Sequence, residues 1–370
     1  MKHKRLMSLL TLVVLAVFVP TAAFAEGDML GDHLPVWSII PFVGMLLSIA
    51  IFPLVKPHWW EKNQLWVALF WSAVFIVPFF FVFGAHETIF ELIHTIILDY
   101  VPFLLLLIAL YAVAGGIVIK GSIVGTPKVN VVILAIGTVL ASVIGTTGAA
   151  MVLIRPLIRA NEWRKRKMHT IIFFIFLVCN IGGSLTPVGD PPLFMGYLRG
   201  VPFFWCLTHL WPIYLFTSII LLVIYFLIEN SRYKKDLAEG AVQPQAGGEK
   251  IKIDGLINIA FIVLILIGTV SSGVLAGMDA FQNADGSVKG ITLFTHNGET
   301  AIATYPNIIK DIIYLIAIFL SLKFTKKTLR EENNFNWSAM EEVAKLFIGI
   351  FITMIPALAL LEAKGASLGL

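Results

Sequence analysis

The feature that most constrains this chain is a series of long, uncharged apolar runs. Several of them extend for about 18 to 22 residues, long enough for a helix to cross the apolar core of a bilayer. Because 58% of the 370 residues are hydrophobic and only 14% are charged, a soluble fold of this size could not bury the apolar surface. The alternating pattern of barrel strands is absent, so the sequence predicts an all-α polytopic membrane protein.

The first 25 residues have the pattern of a signal peptide. Lys2, Lys4 and Arg5 form a basic start, an apolar segment follows, and Ala23 to Ala25 reads small-x-small, as at a cleavage site. We expect cleavage there, which would place the mature N-terminus outside the cytoplasm. The expected location of the protein is a bacterial inner membrane. An uncleaved first helix is the alternative.

From an outside start, apolar length and the distribution of basic residues predict a multi-pass topology. The predicted crossings are Val36 to Val55, Gln64 to Phe83, Tyr100 to Ile119, His209 to Ile228, Asp254 to Gly277, Asn307 to Leu322 and Lys345 to Leu361. Two segments, His86 to Leu98 and Phe335 to Glu342, are too polar to cross and are expected at the membrane interface. Of the 27 Lys and Arg residues, those predicted outside in the mature chain are Arg199, Lys289, Lys310 and Lys364.

Residues 129–160 are apolar but too short for two complete crossings, which would need about 40 residues. Basic residues lie at both ends of this segment, Lys128 and Arg159 among them, so both ends are predicted in the cytoplasm. A re-entrant hairpin satisfies both observations. Its tip would be Gly145-Thr146-Thr147-Gly148, where glycines permit a turn and hydroxyls can bond freed backbone groups.

The next span, residues 169–199, is predicted to be a broken helix, because the glycines and prolines between Gly182 and Pro192 rule out a continuous one. Asp190 is the carboxylate predicted deepest in the membrane, where carboxylates are costly and usually mark ion or proton pathways. The free carbonyls of an unwound segment, with oxygens from Thr186, Ser184 and Asn180, suit a small cation. Asp190 can also be the N-cap of the half-helix that follows, a role compatible with ion binding.

The predicted ion- or substrate-binding set therefore combines the hairpin tip and the broken helix. It consists of Gly145, Thr146, Thr147, Asn180, Gly182, Gly183, Ser184, Thr186, Pro187, Gly189 and Asp190. A transported Na+ at Asp190, Thr186 and Asn180 is the one metal expected, and no cofactor is expected. A membrane-embedded enzyme would need convergent nucleophile, base or metal ligands, and the sequence shows no such cluster, so we do not predict an enzyme.

An internal repeat is suggested by identities at one constant interval. Phe103 matches Phe347, Lys120-Gly121 matches Lys364-Gly365, and Gly125 matches Gly369. Chance could produce so few matches between apolar helices, but the two copies are predicted to enter from opposite sides, as inverted repeats do.

The predicted domains follow from this repeat. They are a first repeat (residues 26–237), a flexible cytoplasmic linker (238–253) and a partial second repeat (254–370). Counterparts of the hairpin tip and of Asp190 would fall beyond Leu370, so the second repeat is expected to be incomplete. Within it, Asn297-Gly298 predicts the turn of a small external β-hairpin.

The run Asn180-Ile-Gly-Gly-Ser-Leu-Thr-Pro-Val-Gly-Asp-Pro-Pro192, following a re-entrant hairpin, resembles the ion transporter superfamily of sodium/proton antiporters, arsenite pumps, and citrate and dicarboxylate transporters. Within that superfamily, the chain looks like the sodium/proton antiporter-like citrate transporter family. The resemblance implies an inverted-repeat secondary transporter with two hairpins and two broken helices, substrate and ions between them, and a homodimer.

Carboxylate-transporting members of the superfamily carry Ser-Asn-Thr at the hairpin tip and usually Thr at the position of Asp190. This chain departs from both features. An ionised Asp190 would repel an anion and attract Na+ or H+, which favours cation/proton antiport over Na+- or H+-coupled citrate or dicarboxylate symport. The lipid bilayer is a further expected partner. Nucleic acid is not, because the basic residues sort by membrane side instead of forming one patch.

Overall fold

A computed structural model describes residues 29–244, 250–296 and 298–365. The predicted signal peptide lies outside the described residues. In chain order, the helices are α1 (Leu30–His33), α2 (Ile40–Val55), α3 (Pro57–Ile93), α4 (Val101–Ala114), α5 (Pro127–Ile144), α6 (Thr146–Ala160), α7 (Met168–Phe174), α8 (Pro191–Leu198), α9 (Trp205–Ala238), α10 (Ile257–Ala276), α11 (Tyr305–Phe324), α12 (Lys327–Glu332) and α13 (Ser338–Lys364). The strands are β1 (Val118–Lys120), β2 (Lys252–Asp254), β3 (Gly290–His296) and β4 (Glu299–Thr304). Short 3-10 or π-helical turns cover Val36–Ile39, His94–Tyr100, Ile175–Asn180, Ile181–Leu185 and Asp279–Phe281.

Seven helical runs in the described part of the chain are long and apolar enough to cross a membrane. They are Val36–Val55, Pro57–Ala114, Pro127–Ile144, Met168–Leu185, Trp205–Ala238, Ile257–Ala276 and Ser338–Lys364. The prediction of an all-α polytopic membrane protein is therefore confirmed. Helix α11, predicted as a crossing, is not among the seven.

The described chain forms two compact units, and the first contains α1, α2, α3, most of the β3–β4 hairpin and α13. Its core is a layer of apolar side chains from α3, α13 and the segment after α1. They are Leu34, Phe75, Phe79, Ile352, Ile355 and Leu360. Helices α3 and α13 approach closely at Gly349, where an added Cβ would lie 2.7 Å from the Cβ of Ala68.

A kink separates the segment His86 to Leu98 from the helix before it, and its place at the membrane interface stays a prediction. Gly84, with φ 87° and ψ 175°, breaks α3 just before it, but the chain then continues helically. Glu87 and Asp99 are buried, and the Glu87 carboxylate lies 3.0 Å from Nε2 of His296 in β3. His86, Ile89 and Ile97 are the exposed side chains of this segment. Two acidic side chains here are thus held inside the unit, while the surface of the segment carries both polar and apolar groups.

Two predictions are corrected, one about the start of α13 and one about the end of α4. The residues from Ser338 to Glu342 begin the long helix α13 and do not form a separate interfacial segment. The predicted crossing from Tyr100 to Ile119 ends as a helix at Ala114, and the chain then enters β1. By contrast, the predicted β-hairpin is confirmed, because β3 and β4 pair, and its external location stays a prediction. Its turn residue Asn297 lies outside the described residues.

The proposed repeat partners differ in local structure at one point. Lys120 lies in β1, beyond the end of α4, whereas Lys364 is the last residue of α13. Gly369, the partner of Gly125, lies outside the described residues. The inverted repeat and its domain limits therefore stay predictions.

The second unit contains most of α4, the α5–α6 hairpin, the broken helix with α8, and α9 to α12. Strands β1 and β2 pair antiparallel, with Val118 opposite Asp254. Hydrogen bonds from Lys252 and Lys120 lower the pKa of Asp254. The end of the predicted flexible linker is therefore a strand held by β1, while residues 245–249 lie outside the described part.

Candidate ion-binding site

The hairpin turns at a single residue. Helix α5 ends at Ile144 and α6 begins at Thr146, so Gly145 alone, with φ 76° and ψ 154°, reverses the chain. Side chains rarely accept that φ, and an added Cβ would meet the carbonyl oxygen of Val188 at 3.2 Å. The predicted four-residue tip is thereby corrected, because Thr146, Thr147 and Gly148 form the first turn of α6.

The broken helix unwinds where the sequence predicts. Helix α7 continues through a π-helical and a 3-10 turn to Leu185, residues 186–190 are not helical, and α8 starts at Pro191. The two sides of this loop touch backbone to backbone. A Cβ on Gly189 would lie 2.1 Å from the carbonyl oxygen of Gly183, so no larger residue fits. Gly182 also packs closely on α5, where an added Cβ would lie 2.7 Å from that of Ala141.

Three hydrogen bonds join the hairpin to this loop. The amide of Thr146 donates to the carbonyl of Gly189 at 3.1 Å. The hydroxyl of Thr186 donates to the carbonyl of Ser142 at 2.5 Å, and the hydroxyl of Ser142 donates to the carbonyl of Gly182 at 2.5 Å. We call these five residues the hairpin–loop junction. The structure thus brings the turn and the broken helix together, as predicted.

Ser142 is a member of the junction that sequence reasoning missed. It is buried on α5, one turn before Gly145. Its signal in the sequence was weak, because a serine in an apolar helix commonly bonds to a carbonyl of its own helix. Here its partner belongs to the broken helix, which only the tertiary structure could reveal.

Asp190 occupies the N-cap position of α8. Its carbonyl accepts from the amides of Leu193 at 3.1 Å and Phe194 at 3.2 Å, but its side chain makes no capping bond. The side chain is half-buried, and within the described ranges its carboxylate has neither a hydrogen bond nor an ion pair. This carboxylate, next to the junction residue Gly189, is therefore available to a cation.

Other predicted site residues are not drawn into the junction. Asn180 is exposed and donates to the carbonyl of Ile175 at 2.7 Å, while Ser184 donates to that of Ile181 at 2.8 Å. Both bonds stay within the broken helix. Thr147 is exposed and Pro187 is buried. Of the three residues expected to hold Na+, Thr186 and Asp190 share one loop. Asn180 lies before this loop, and the bond to Ile175 uses its side-chain nitrogen and not Oδ1, the atom that would ligate a cation.

Lys310, one of the basic residues predicted on the outer side of the membrane, is a buried cation. Its side chain on α11 is completely buried, and Nζ lies 3.6 Å from Oδ1 of Asp311 and 3.3 Å from Oδ1 of Asn307. Nζ also lies 5.4 Å from the ring centre of Phe194, on the half-helix that Asp190 begins. The sequence did not predict this burial, which results from the packing of α11.

A second buried charge cluster lies at the end of the hairpin opposite its turn. Arg164 follows α6, and its guanidinium lies 2.5 Å from Glu229 and 2.8 Å from Asp236, both on α9. His169 contacts the other oxygen of Glu229 at 2.6 Å, and Asn130 of α5 donates to Glu229 at 3.0 Å. Glu229 and Asp236 are both completely buried.

The described residues contain no group of three or more His, Cys, Asp and Glu side chains able to hold a metal ion. Comparison with protein families matches residues 31–369 to the family described as "Putative citrate transport". No curated protein and no solved structure matches the chain.

Proposed function

Because the chain belongs to the citrate transport family, and is accordingly a multi-pass secondary transporter, we propose that it exchanges Na+ for H+ across a bacterial inner membrane. The observation that carries this proposal is the Asp190 carboxylate, which has no cationic partner among the described residues. An intramembrane carboxylate is costly unless it is neutralised. Either a proton or a sodium ion would neutralise it.

Competition for one carboxylate is sufficient for antiport. A protonated Asp190 has lost the charge that attracts Na+, and a sodium-bound Asp190 has a lowered affinity for H+. The hairpin–loop junction supports this role by holding the non-helical loop, whose backbone carbonyls are hard oxygen ligands of the kind Na+ accepts. Thr186 can contribute a further oxygen.

Symport of citrate or a dicarboxylate with Na+ or H+ is the second candidate, and the description of the matching family favours it. In that case Asp190 would bind the coupling cation, and the anion would need a cationic site of its own. An anion placed directly beside an ionised Asp190 would be repelled. The two candidates therefore differ in whether citrate moves and whether protons are released.

The test uses everted vesicles containing the full-length protein and a preformed pH gradient. Adding Na+ or Li+ should dissipate the gradient, and Asp190→Asn should abolish the effect. Asp285→Asn is the matched control, since Asp285 is exposed in the loop between α10 and β3. Sodium-dependent uptake of labelled citrate, without proton release, would overturn antiport and establish symport.

We also propose that residues 26–237 and 254–370 are inverted repeats separated by the linker 238–253, and that the protein is a homodimer. Both follow from the family resemblance and from the constant interval between Phe103 and Phe347 and their neighbours. A structure of the full-length protein in lipid would test the first, and its mass in detergent-free nanodiscs the second.

A further inference from the structure

A cavity of about 620 Å³ lies in the second unit, at the end of α6 remote from the Gly145 turn. Lys120 of β1, Arg155 and Arg159 of α6, and Glu332 of α12 contribute its charged groups. Three cationic side chains and one carboxylate therefore line the same cavity. This cavity is separate from the hairpin–loop junction, and its ligand is independent of which ion the protein transports.

Two of the three cations lack a carboxylate partner. Lys120 is paired with Glu332 at 2.8 Å and with Asp254 at 3.2 Å. Arg155 instead donates to the main-chain carbonyl of Glu332 at 2.5 Å, and Arg159 to that of Ile119 at 2.8 Å. In the described part of the chain, neither guanidinium forms an ion pair, so two positive charges in the cavity are not neutralised by the protein.

The two unpaired arginines also lie close to each other, which makes their positive charges more unfavourable. Arg155 and Arg159 are four residues apart on α6, so they lie on one face of the helix and repel each other. A bound anion would relieve the repulsion, and guanidinium groups offer forked pairs of N–H donors that fit phosphate oxygens. The main-chain bonds already made leave further N–H donors on each guanidinium for such a ligand.

Beside the polar residues Ser122, Asn333 and Asn334, part of the cavity wall is apolar, and this part indicates the kind of anion. Val152, Pro156 and Ile158 line it, and the Ile158 side chain is exposed. Citrate or inorganic phosphate has no apolar part to place against these side chains. A phospholipid has one, because its glycerol and first acyl carbons follow the phosphate directly.

The position of the cavity agrees with a lipid ligand. The positive-inside rule places this end of the hairpin in the cytoplasm, and anionic lipids of the cytoplasmic leaflet bind basic pockets between transmembrane helices. We propose that Arg155 and Arg159 bind the phosphate headgroup of an anionic phospholipid. Because Arg155 also bonds the end of α12, the lipid would brace the base of the hairpin against that segment.

The experiment measures lipid binding to the full-length protein after delipidation, by native mass spectrometry with added phosphatidylglycerol or cardiolipin. Arg155→Gln and Arg159→Gln should each weaken binding about fivefold, the factor expected for one basic residue at an anionic surface. The control is Lys326→Gln with Lys327→Gln, which removes two exposed charges outside the cavity and should leave binding unchanged. Phosphatidylethanolamine should not bind at this site in any variant.

Glu332→Gln should strengthen lipid binding, a result that a misfolded variant would not give. It removes the one carboxylate among the cavity-lining residues, so affinity for phosphatidylglycerol should rise about fivefold. Equal losses in the arginine and lysine variants would overturn the proposal, as would unchanged binding in the double arginine variant. Displacement of the lipid by millimolar citrate or inorganic phosphate would also overturn it, by identifying the cavity as a free-anion site.

Discussion

Replacing Arg164 with methionine tests whether the buried charge cluster holds the base of the hairpin to α9. The side chains of Arg164, Glu229 and Asp236 are 1%, 0% and 0% exposed. Removing one member of a buried ion pair typically costs about 3–5 kcal/mol, because the partner charge stays buried without compensation. Here His169 still contacts Glu229 and Arg166 still contacts Asp236 at 3.0 Å, so we expect a loss of about 3 kcal/mol in the free energy of unfolding.

The assay is equilibrium unfolding of the full-length protein in mixed micelles, followed by tryptophan fluorescence. Lys345→Met is the control, because it breaks the pair between Lys345 and Glu341, whose side chains are 34% and 64% exposed. That exposed i,i+4 pair should contribute only about 0.3–0.5 kcal/mol. Removing two charges at once, in Arg164→Met with Glu229→Leu, should cost less than the sum of the single changes. The reasoning fails if Arg164→Met is no more damaging than the control.

Three further predictions concern the site and its surroundings. Gly189→Ala should abolish ion exchange, since its Cβ would lie 2.1 Å from a carbonyl oxygen, whereas Gly196→Ala, with no atom nearer than 3.6 Å, should be tolerated in the same vesicle assay. Thr186→Val removes the hydroxyl bonded to α5 and should lower the free energy of unfolding by about 1–3 kcal/mol, which denaturation in micelles would measure. Lys310→Met leaves the Asp311 carboxylate without its partner at 3.6 Å. Its melting temperature should fall, and adding Asp311→Asn should restore part of the loss.

The membrane class and the main breaks in the helices were predictable from the sequence, because both depend on local physical chemistry. Transfer of apolar side chains into lipid depends on run length, and the first predicted crossing, Val36 to Val55, has the bounds found in the structure. Glycine and proline act on the backbone of their own segment. A turn beginning at Gly145 and a break between Gly182 and Pro192 therefore followed from sequence, whereas the reversal at Gly145 alone and the helical turn that continues to Leu185 did not.

The partners of polar side chains could not be obtained in this way. Lys310 and Glu229 are both completely buried, which hydropathy and spacing did not predict. Asn180 was expected to bind the ion, and the structure shows that its side-chain nitrogen bonds to its own helix. Whether a charged or polar group is paired depends on which helices approach it, and residues distant in sequence supply those contacts. Hydropathy and spacing thus determined which segments enter the membrane and where they unwind, whereas packing decided which polar groups are satisfied there and left the Asp190 carboxylate available for a cation.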